Sequence, residues 1–197
     1  MKSSHVIGID EVGRGSLAGP VVVCALLMPA RLRISRELGK LKDSKHLSAK
    51  QREKWLDYLK NHEKVDYAVA CVYPRTIEKI NISNAANLAS LRAVNRLTAR
   101  HKLSTKNLKI FLDGGLYIGK RASQPKNAKT IIGGDQKITS VKASSIVAKV
   151  LRDKMLVRLA NKYPQYGFEE NKGYGTKKHL EAIEKCGPCE AHRATFM

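Results

Sequence analysis

His5-Val-Ile-Gly-Ile-Asp10-Glu11-Val-Gly13-Arg14-Gly15-Ser-Leu-Ala-Gly19-Pro20-Val-Val-Val is the stretch on which the reading of this chain turns. It is a short apolar strand, Val6–Ile9, that ends on two consecutive carboxylates. A turn with three glycines and one arginine follows, then Pro20 and a second apolar run, Val21–Met28. The two runs are close enough to pair as a hairpin across the glycine loop. Carboxylates at the end of a buried strand are costly to desolvate unless a cation or a proton donor meets them. Gly13 and Gly15 let backbone amides approach a ligand closely, so the loop is a candidate anion cradle. An acidic cluster beside a phosphate-binding loop suits a metal-dependent enzyme that acts on phosphodiesters.

Composition agrees with a nucleic-acid substrate. The 197 residues fit one domain with a substantial core, and 43% are hydrophobic, as in a globular chain. A formal net charge of +20 calls for a polyanionic partner. The longest apolar run is far short of the roughly 20 residues of a membrane span, and no signal peptide is evident. Four scattered cysteines do not make a disulfide framework, so a cytoplasmic protein is expected.

Along the chain, Ser48 and Gln51 have capping-box spacing and open a helix that carries Trp55, Leu56 and Leu59. Trp55 is expected in the core or an interface, and Lys50–Lys54 on a solvated helix face. Val65–Tyr73 alternates as a third strand, closed by Pro74. A long helix is predicted over Ser83–Arg100, with Leu88, Leu91, Val94 and Leu97 at helical spacing. Leu108–Leu112 is a fourth strand ending at Asp113-Gly114-Gly115. Basic stretches cover Arg31–Lys45 and Tyr117–Lys129. Thr130–Ile132 is short and β-like and meets Gly133-Gly134-Asp135. Val147, Leu151, Met155 and Leu159 step by four along a helix that Pro164 ends, and a short helix starts at Thr176. Strands followed by strand–helix alternation imply an α/β fold, a mixed sheet with helices on its faces.

The placement of acids sharpens the chemistry. Between Glu78 and Asp153 the only acids are Asp113 and Asp135, each after a strand-like run and beside glycine. Magnesium and manganese prefer oxygen ligands, and two such ions about 4 Å apart can clamp an in-line phosphoryl displacement. Asp10 and Glu11 are adjacent, so in a regular strand they face opposite ways. Their joint use requires the strand to end or twist at Glu11.

These residues resemble the ribonuclease HII family, the type 2 ribonucleases H. The match runs through Val6–Pro20, Asp43-Ser44-Lys45, Ile80-Asn81-Ile82, Asp113-Gly114, Gly134-Asp135, Ala143–Lys149, Arg152-Asp153, Tyr163–Phe168, Lys172–Thr176 and His192-Arg193. The resemblance implies an RNase H-like mixed sheet flanked by helices, with residues 1–165 as catalytic domain and 166–197 as a small helical, substrate-contacting segment packed on it. It implies hydrolysis of the RNA strand of RNA–DNA hybrids and cutting 5′ of single ribonucleotides embedded in duplex DNA, leaving 3′-hydroxyl and 5′-phosphate ends. Asp10, Glu11, Asp113 and Asp135 would be the catalytic and metal-binding carboxylates, holding two Mg2+ or Mn2+ ions. Gly13, Arg14 and Gly15 would read the 2′-hydroxyl largely through backbone groups. Tyr174 would stack on the sugar at the RNA–DNA junction, and Lys45 and Ser145 would also contact substrate. The Gly-Arg-Gly triplet argues against the type 3 branch, which has Gly-Thr-Gly there. A monomer is expected, and a chain stopping at Met197 is expected to lack the tail by which some members bind a sliding clamp. Departures from the family pattern are Ser16 for a common proline, Gly133 for a usual lysine, and Ala194-Thr195 for a usual Arg-Ser.

Other readings fit less well. The spacing of Gly13, Gly15 and Gly19 is one residue too long for a dinucleotide-binding fingerprint, and a strand follows where that motif needs a helix. Cys186-Gly-Pro-Cys189 imitates a redox motif but lacks its strand–helix setting. With His192 it would supply half a zinc site, yet no second ligand pair is evident, so the two cysteines are expected to pack or lie idle. A non-catalytic nucleic-acid-binding domain would have no need of the carboxylate quartet.

Overall fold

A computed structural model describes residues 5–32 and 38–197. The part of the basic Arg31–Lys45 stretch at 33–37 lies outside the described residues. Five strands form one sheet: β1 (His5–Val12), β2 (Val21–Pro29), β3 (Asp66–Val72), β4 (Lys109–Asp113) and β5 (Ala128–Ile131). Their order is β3-β2-β1-β4-β5. The β1–β2 and β2–β3 pairs are antiparallel, whereas β1–β4 and β4–β5 are parallel. The sheet is therefore mixed, with β1 at its centre and a hairpin on one side.

Among the described residues there are seven α-helices, besides short 3-10 turns: α1 (Ala49–Asn61), α2 (Pro74–Ile80), α3 (Ile82–Arg100), α4 (Gly134–Lys137), α5 (Thr139–Lys162), α6 (Phe168–Asn171) and α7 (Lys177–Cys186). The expected capping box is present: Ser48 accepts from the Gln51 amide, and the Gln51 side chain accepts from the Ser48 amide. One sheet face, with Ile7, Ile9, Val23, Ala25 and Leu112, packs on α3. The other, with Val6, Cys24, Leu26 and Met28, packs on Trp55, Leu56 and Leu59 of α1 and on Ile146, Val147 and Val150 of α5. Trp55 belongs to the core.

Three predicted details change. β1 does not end at Ile9 or Glu11; it pairs with β2 through Glu11 opposite Val23 and Val12 opposite Val22. The stripe that α3 buries is Ala85, Ala86, Ala89, Ala93, Val94 and Leu97, with Leu88 and Leu91 only partly buried. Small side chains let this helix lie close on the sheet, and the leucines fill the margins. On α5, steps of four advance about 400° and so drift about 40° each around a helix with 3.6 residues per turn. By Met155 and Leu159 the predicted series has left the core face, and Leu156 and Ala160 are buried instead. The helix α2 was not anticipated; Pro74, taken as the end of a strand, also serves as its first residue.

The end of the chain packs back on the glycine loop. Ala18, Leu156, Ala160, Tyr166, Phe168 and Ala191 form a small separate apolar cluster.

Candidate active site

Parallel pairing of β1 with β4 places Ile9 opposite Leu112, which brings Asp10 alongside Asp113 at the strand ends. One carboxylate oxygen each from Asp10, Glu11 and Asp113 lies within 4.8 Å of the others. Among the described residues this is the only group of three acidic, histidine or cysteine side chains so arranged. The two neighbours share the site although β1 continues past them. The Asp10 carboxylate folds back to accept the Glu11 amide at 2.8 Å. Glu11 Oε1 accepts from Arg14 Nη1 at 3.4 Å, while its Oε2 is buried with no hydrogen-bond partner.

The electrostatics are unfavourable without a cation. Burial, then the charges of Glu11 and Asp113, push the Asp10 carboxyl well above the usual range, and Asp135 adds to the push. Burial also raises Glu11, against the pull of Arg14. A trio of oxygen donors with one orphaned oxygen and raised proton affinity is what a hard divalent cation would relieve. The residues therefore fit a magnesium or manganese site.

Asp135 arrives by another route. Gly133 takes a left-handed conformation, φ 66°, and caps the short helix α4, so a glycine suits the place where the family usually has lysine. Gly134 and Asp135 then donate their amides to Asp113 Oδ1 at 2.7 and 3.4 Å, which orients that carboxylate. Asp135 is 4% exposed, and its Oδ2 accepts from Lys45 Nζ at 3.3 Å. Lys45, expected to touch substrate, thus stands against the fourth acid, its ammonium otherwise largely exposed.

The glycine loop is built from behind by two arginines that the sequence reading left without a role. Arg193 donates to the carbonyls of Gly13 at 2.8 Å, Arg14 at 3.0 Å and Gly19 at 2.8 Å. Arg152 donates to the carbonyls of Pro20, Ala18 and Lys172 and to Ser16 Oγ at 2.7 Å. Both side chains are fully buried, and burial, with the neighbouring Arg152 charge, lowers the Arg193 pKa to about 10. A Cβ on Gly13, whose φ is 86°, would lie 2.1 Å from Arg152 Nε, so only glycine lets the clamp close. Ser16, in place of the family's common proline, passes its own hydroxyl hydrogen to the Gly13 carbonyl at 2.9 Å. One signal was available: Arg152 interrupts an otherwise apolar helix face.

With the Gly13 and Arg14 carbonyls turned inward, Gly15 is exposed with open space around its Cα. Arg14 reaches Ser83 Oγ at 2.8 Å as well as Glu11. Tyr174 is 37% exposed, with the Arg152 guanidinium 5.4 Å and Lys149 Nζ 6.0 Å from its ring centre. The Gly173 carbonyl, next to it, accepts from the Leu17 and Ala18 amides, which ties the Gly173–Gly175 turn to the glycine loop. Ser145 is buried, its hydroxyl donating to the Lys142 carbonyl of its own helix at 2.9 Å. Cys186 and Cys189 are free thiols.

An α/β sheet that gathers carboxylates at the ends of β1 and β4, beside an exposed glycine turn, fits a metal-dependent nuclease. The ribonuclease HII family model matches residues 7–197, and the chain belongs to that family. Ribonuclease HII of Endomicrobium trichonymphae is 44% identical over 191 residues, 97% of this chain and 84% of the relative. That of Caldicellulosiruptor bescii is 42% identical, covering 98% and 86%. Among solved structures, the ribonuclease H2 of Pyrococcus horikoshii superposes with a TM-score of 0.71 at 28% identity, covering 97% of this chain and 93% of that one. A ribonuclease HIII described in complex with Mn2+ shares the fold at TM-score 0.72 and 20% identity, covering 98% and 67%. The chain is thus a metal-dependent endoribonuclease that acts on RNA–DNA hybrids. Among the described residues, no helix is long and apolar enough to cross a membrane.

Proposed function

We propose that this enzyme also cuts duplex DNA on the 5′ side of a single embedded ribonucleotide, by two-metal-ion catalysis that leaves a 3′-hydroxyl and a 5′-phosphate. The observation that carries this reading is the Asp10–Glu11–Asp113 trio, with its orphaned Glu11 oxygen, set beside the clamped glycine turn. Asp10, Glu11, Asp113 and Asp135 hold the ions, Mg2+ or Mn2+. When bound, two such ions acidify the attacking water and stabilise the departing oxygen.

The chain's own part is positioning. Arg193 and Arg152 hold loop carbonyls inward, and recognition of the 2′-hydroxyl falls to the remaining backbone groups of Gly13, Arg14 and Gly15. A site whose polar groups would go unpaired against deoxyribose discriminates strongly. Tyr174 supplies a flat face for the junction sugar, Lys45 a cation beside Asp135, and Ser145 a further contact on α5. Residues 166–197 act as the substrate-contacting segment, and the enzyme works as a cytoplasmic monomer.

A labelled duplex with one embedded ribonucleotide, incubated with and without Mg2+, tests the reading. We expect one metal-dependent cut 5′ of the ribonucleotide. A hybrid that is cut while the embedded ribonucleotide stays intact would contradict it.

A further inference from the structure

Behind Tyr174 the tail buries two histidines in an apolar cage formed by Tyr166 and Phe168. His179 of α7 is fully buried and His192 nearly so. Their Nε2 atoms are 3.0 Å apart. The hydrogen bonds around the pair fix where the ring protons sit. His192 Nδ1 accepts the Cys189 amide at 2.9 Å, with the Cys189 thiol sulfur 3.2 Å away. Its hydrogen must then be on Nε2, which donates to His179 Nε2. That leaves the His179 hydrogen on Nδ1, facing the Tyr174 carbonyl at 2.9 Å.

We propose that His179 and His192 are positioning residues that hold the Gly173–Gly175 turn, and so aim the Tyr174 ring, through a one-directional chain from the Cys189 amide to the Tyr174 carbonyl. The inference rests on the reading of Tyr174 as the junction-contacting residue.

The chain tolerates two ring protons and no third. A proton on His179 Nε2 would face the His192 Nε2 hydrogen, and a proton on His192 Nδ1 would face the Cys189 amide. Among the described residues, no carboxylate pairs with either ring. The titratable groups around them include the Cys189 thiol, whose pKa burial raises, Tyr166, whose hydroxyl donates to the Gly187 carbonyl, and Glu190, whose carboxylate is taken up by Lys162 and Tyr163. Tyr174, carried by the turn itself, presents only its carbonyl. Among the cations, Arg193, next in the chain to His192, and Arg152 on α5 are committed to loop carbonyls, and Lys178, next to His179, pairs with Glu170. From the β1–β2 loop the Ala18 backbone pairs with His192. Burial, and then the nearby His179, lower the His192 pKa. A proton added to His192 breaks the chain, so the turn is expected to loosen only as pH falls below the ordinary histidine range.

Two measurements on the full chain test this. Nitrogen-15 NMR of the wild-type protein at pH 7.5 should show His179 protonated on Nδ1 and His192 on Nε2; either opposite tautomer would overturn the chain. The second is the ratio of kcat/KM on an embedded-ribonucleotide duplex to that on a long hybrid, which cancels the shared chemical step. His179→Phe should lower the ratio roughly three- to tenfold, the worth of one neutral hydrogen bond, mainly through KM. It should also remove the fall in the ratio expected of the wild type as pH is lowered below the ordinary histidine range. His192→Gln, which keeps a donor near the Nε2 position, should retain most of the ratio. Tyr174→Ala should lower it too, and adding His179→Phe to that variant should cost little more. A ratio unchanged by His179→Phe, or additive losses, would overturn the positioning role. A ratio unchanged by Tyr174→Ala would overturn the junction reading itself. If His179→Phe does not fold, the tautomers and the pH profile of the wild type decide.

Discussion

At Asp10 the chain buries a carboxylate against two others, and among the described residues the one cation touching the trio is Arg14, 3.4 Å from Glu11. Repulsion held inside a fold is relieved by removing a charge. Asp10→Asn is therefore expected to raise the melting temperature measured in a chelator by roughly 2–4 °C, equivalent to about 1 kcal/mol in a chain of this size. Added Mg2+ should stabilise the wild type more than this variant, because the ion binds the native state through the missing charge. A variant that melts lower in chelator would contradict the electrostatic reading. The acids were legible in the sequence because carboxylates beside glycine at strand ends, in basic surroundings, are poor surface solvators. The clamp was legible only as one arginine, Arg152, on a largely apolar helix face, with nothing to name its partners. Arg152 and Arg193 act on backbone carbonyls, and such partners leave no pattern of side-chain types to read. The inward turn of the Gly13 and Arg14 carbonyls follows from the clamp and was equally hidden.

At the scale of elements, the site depends on how closely α5 lies against β1. A Cβ on Gly8 would sit 2.1 Å from the Ser140 carbonyl carbon, and helix backbone cannot yield as a side chain does. Gly8→Ala is expected to cost at least the ~1–3 kcal/mol of core overpacking, seen as a lower urea midpoint or loss of soluble protein. Trp55→Ala, which empties a buried ring site between α1 and the sheet, should cost about 3–5 kcal/mol by the same measurement. A midpoint unchanged in either variant would contradict the packing described. The hairpin, the mixed sheet and the capping box of α1 could be read from residue order because period and capping are local signals. The alanine stripe of α3 and the true core face of α5 could not. Each is set by the distance to a neighbouring layer, which hydrophobic spacing alone does not encode. The strand end was misjudged for a related reason: Glu11 and Val12 keep their ladder with β2 while the Asp10 side chain, not the backbone, bends toward its neighbour.

Across the whole molecule, a net charge of +20 spread over basic stretches such as Lys120–Lys129 predicts binding through phosphates. Affinity for a duplex should fall with salt at a log–log slope of about −0.9 for each phosphate neutralised. A slope near zero between low and physiological salt would contradict this. Charge secures the encounter, while the reaction is assigned to the acids at the ends of β1 and β4. That division of labour is the central claim, and one paired measurement tests it most directly: cleavage and binding of an RNA–DNA hybrid by wild type and Asp113→Asn in Mg2+. The substitution keeps side-chain volume but removes a ligand charge, and metal stabilisation of the transition state is worth several kcal/mol. The account predicts a loss of cleavage of about a thousandfold or more, with hybrid affinity in Ca2+ or chelator within a fewfold of wild type. Near-wild-type turnover by Asp113→Asn in Mg2+ would contradict it.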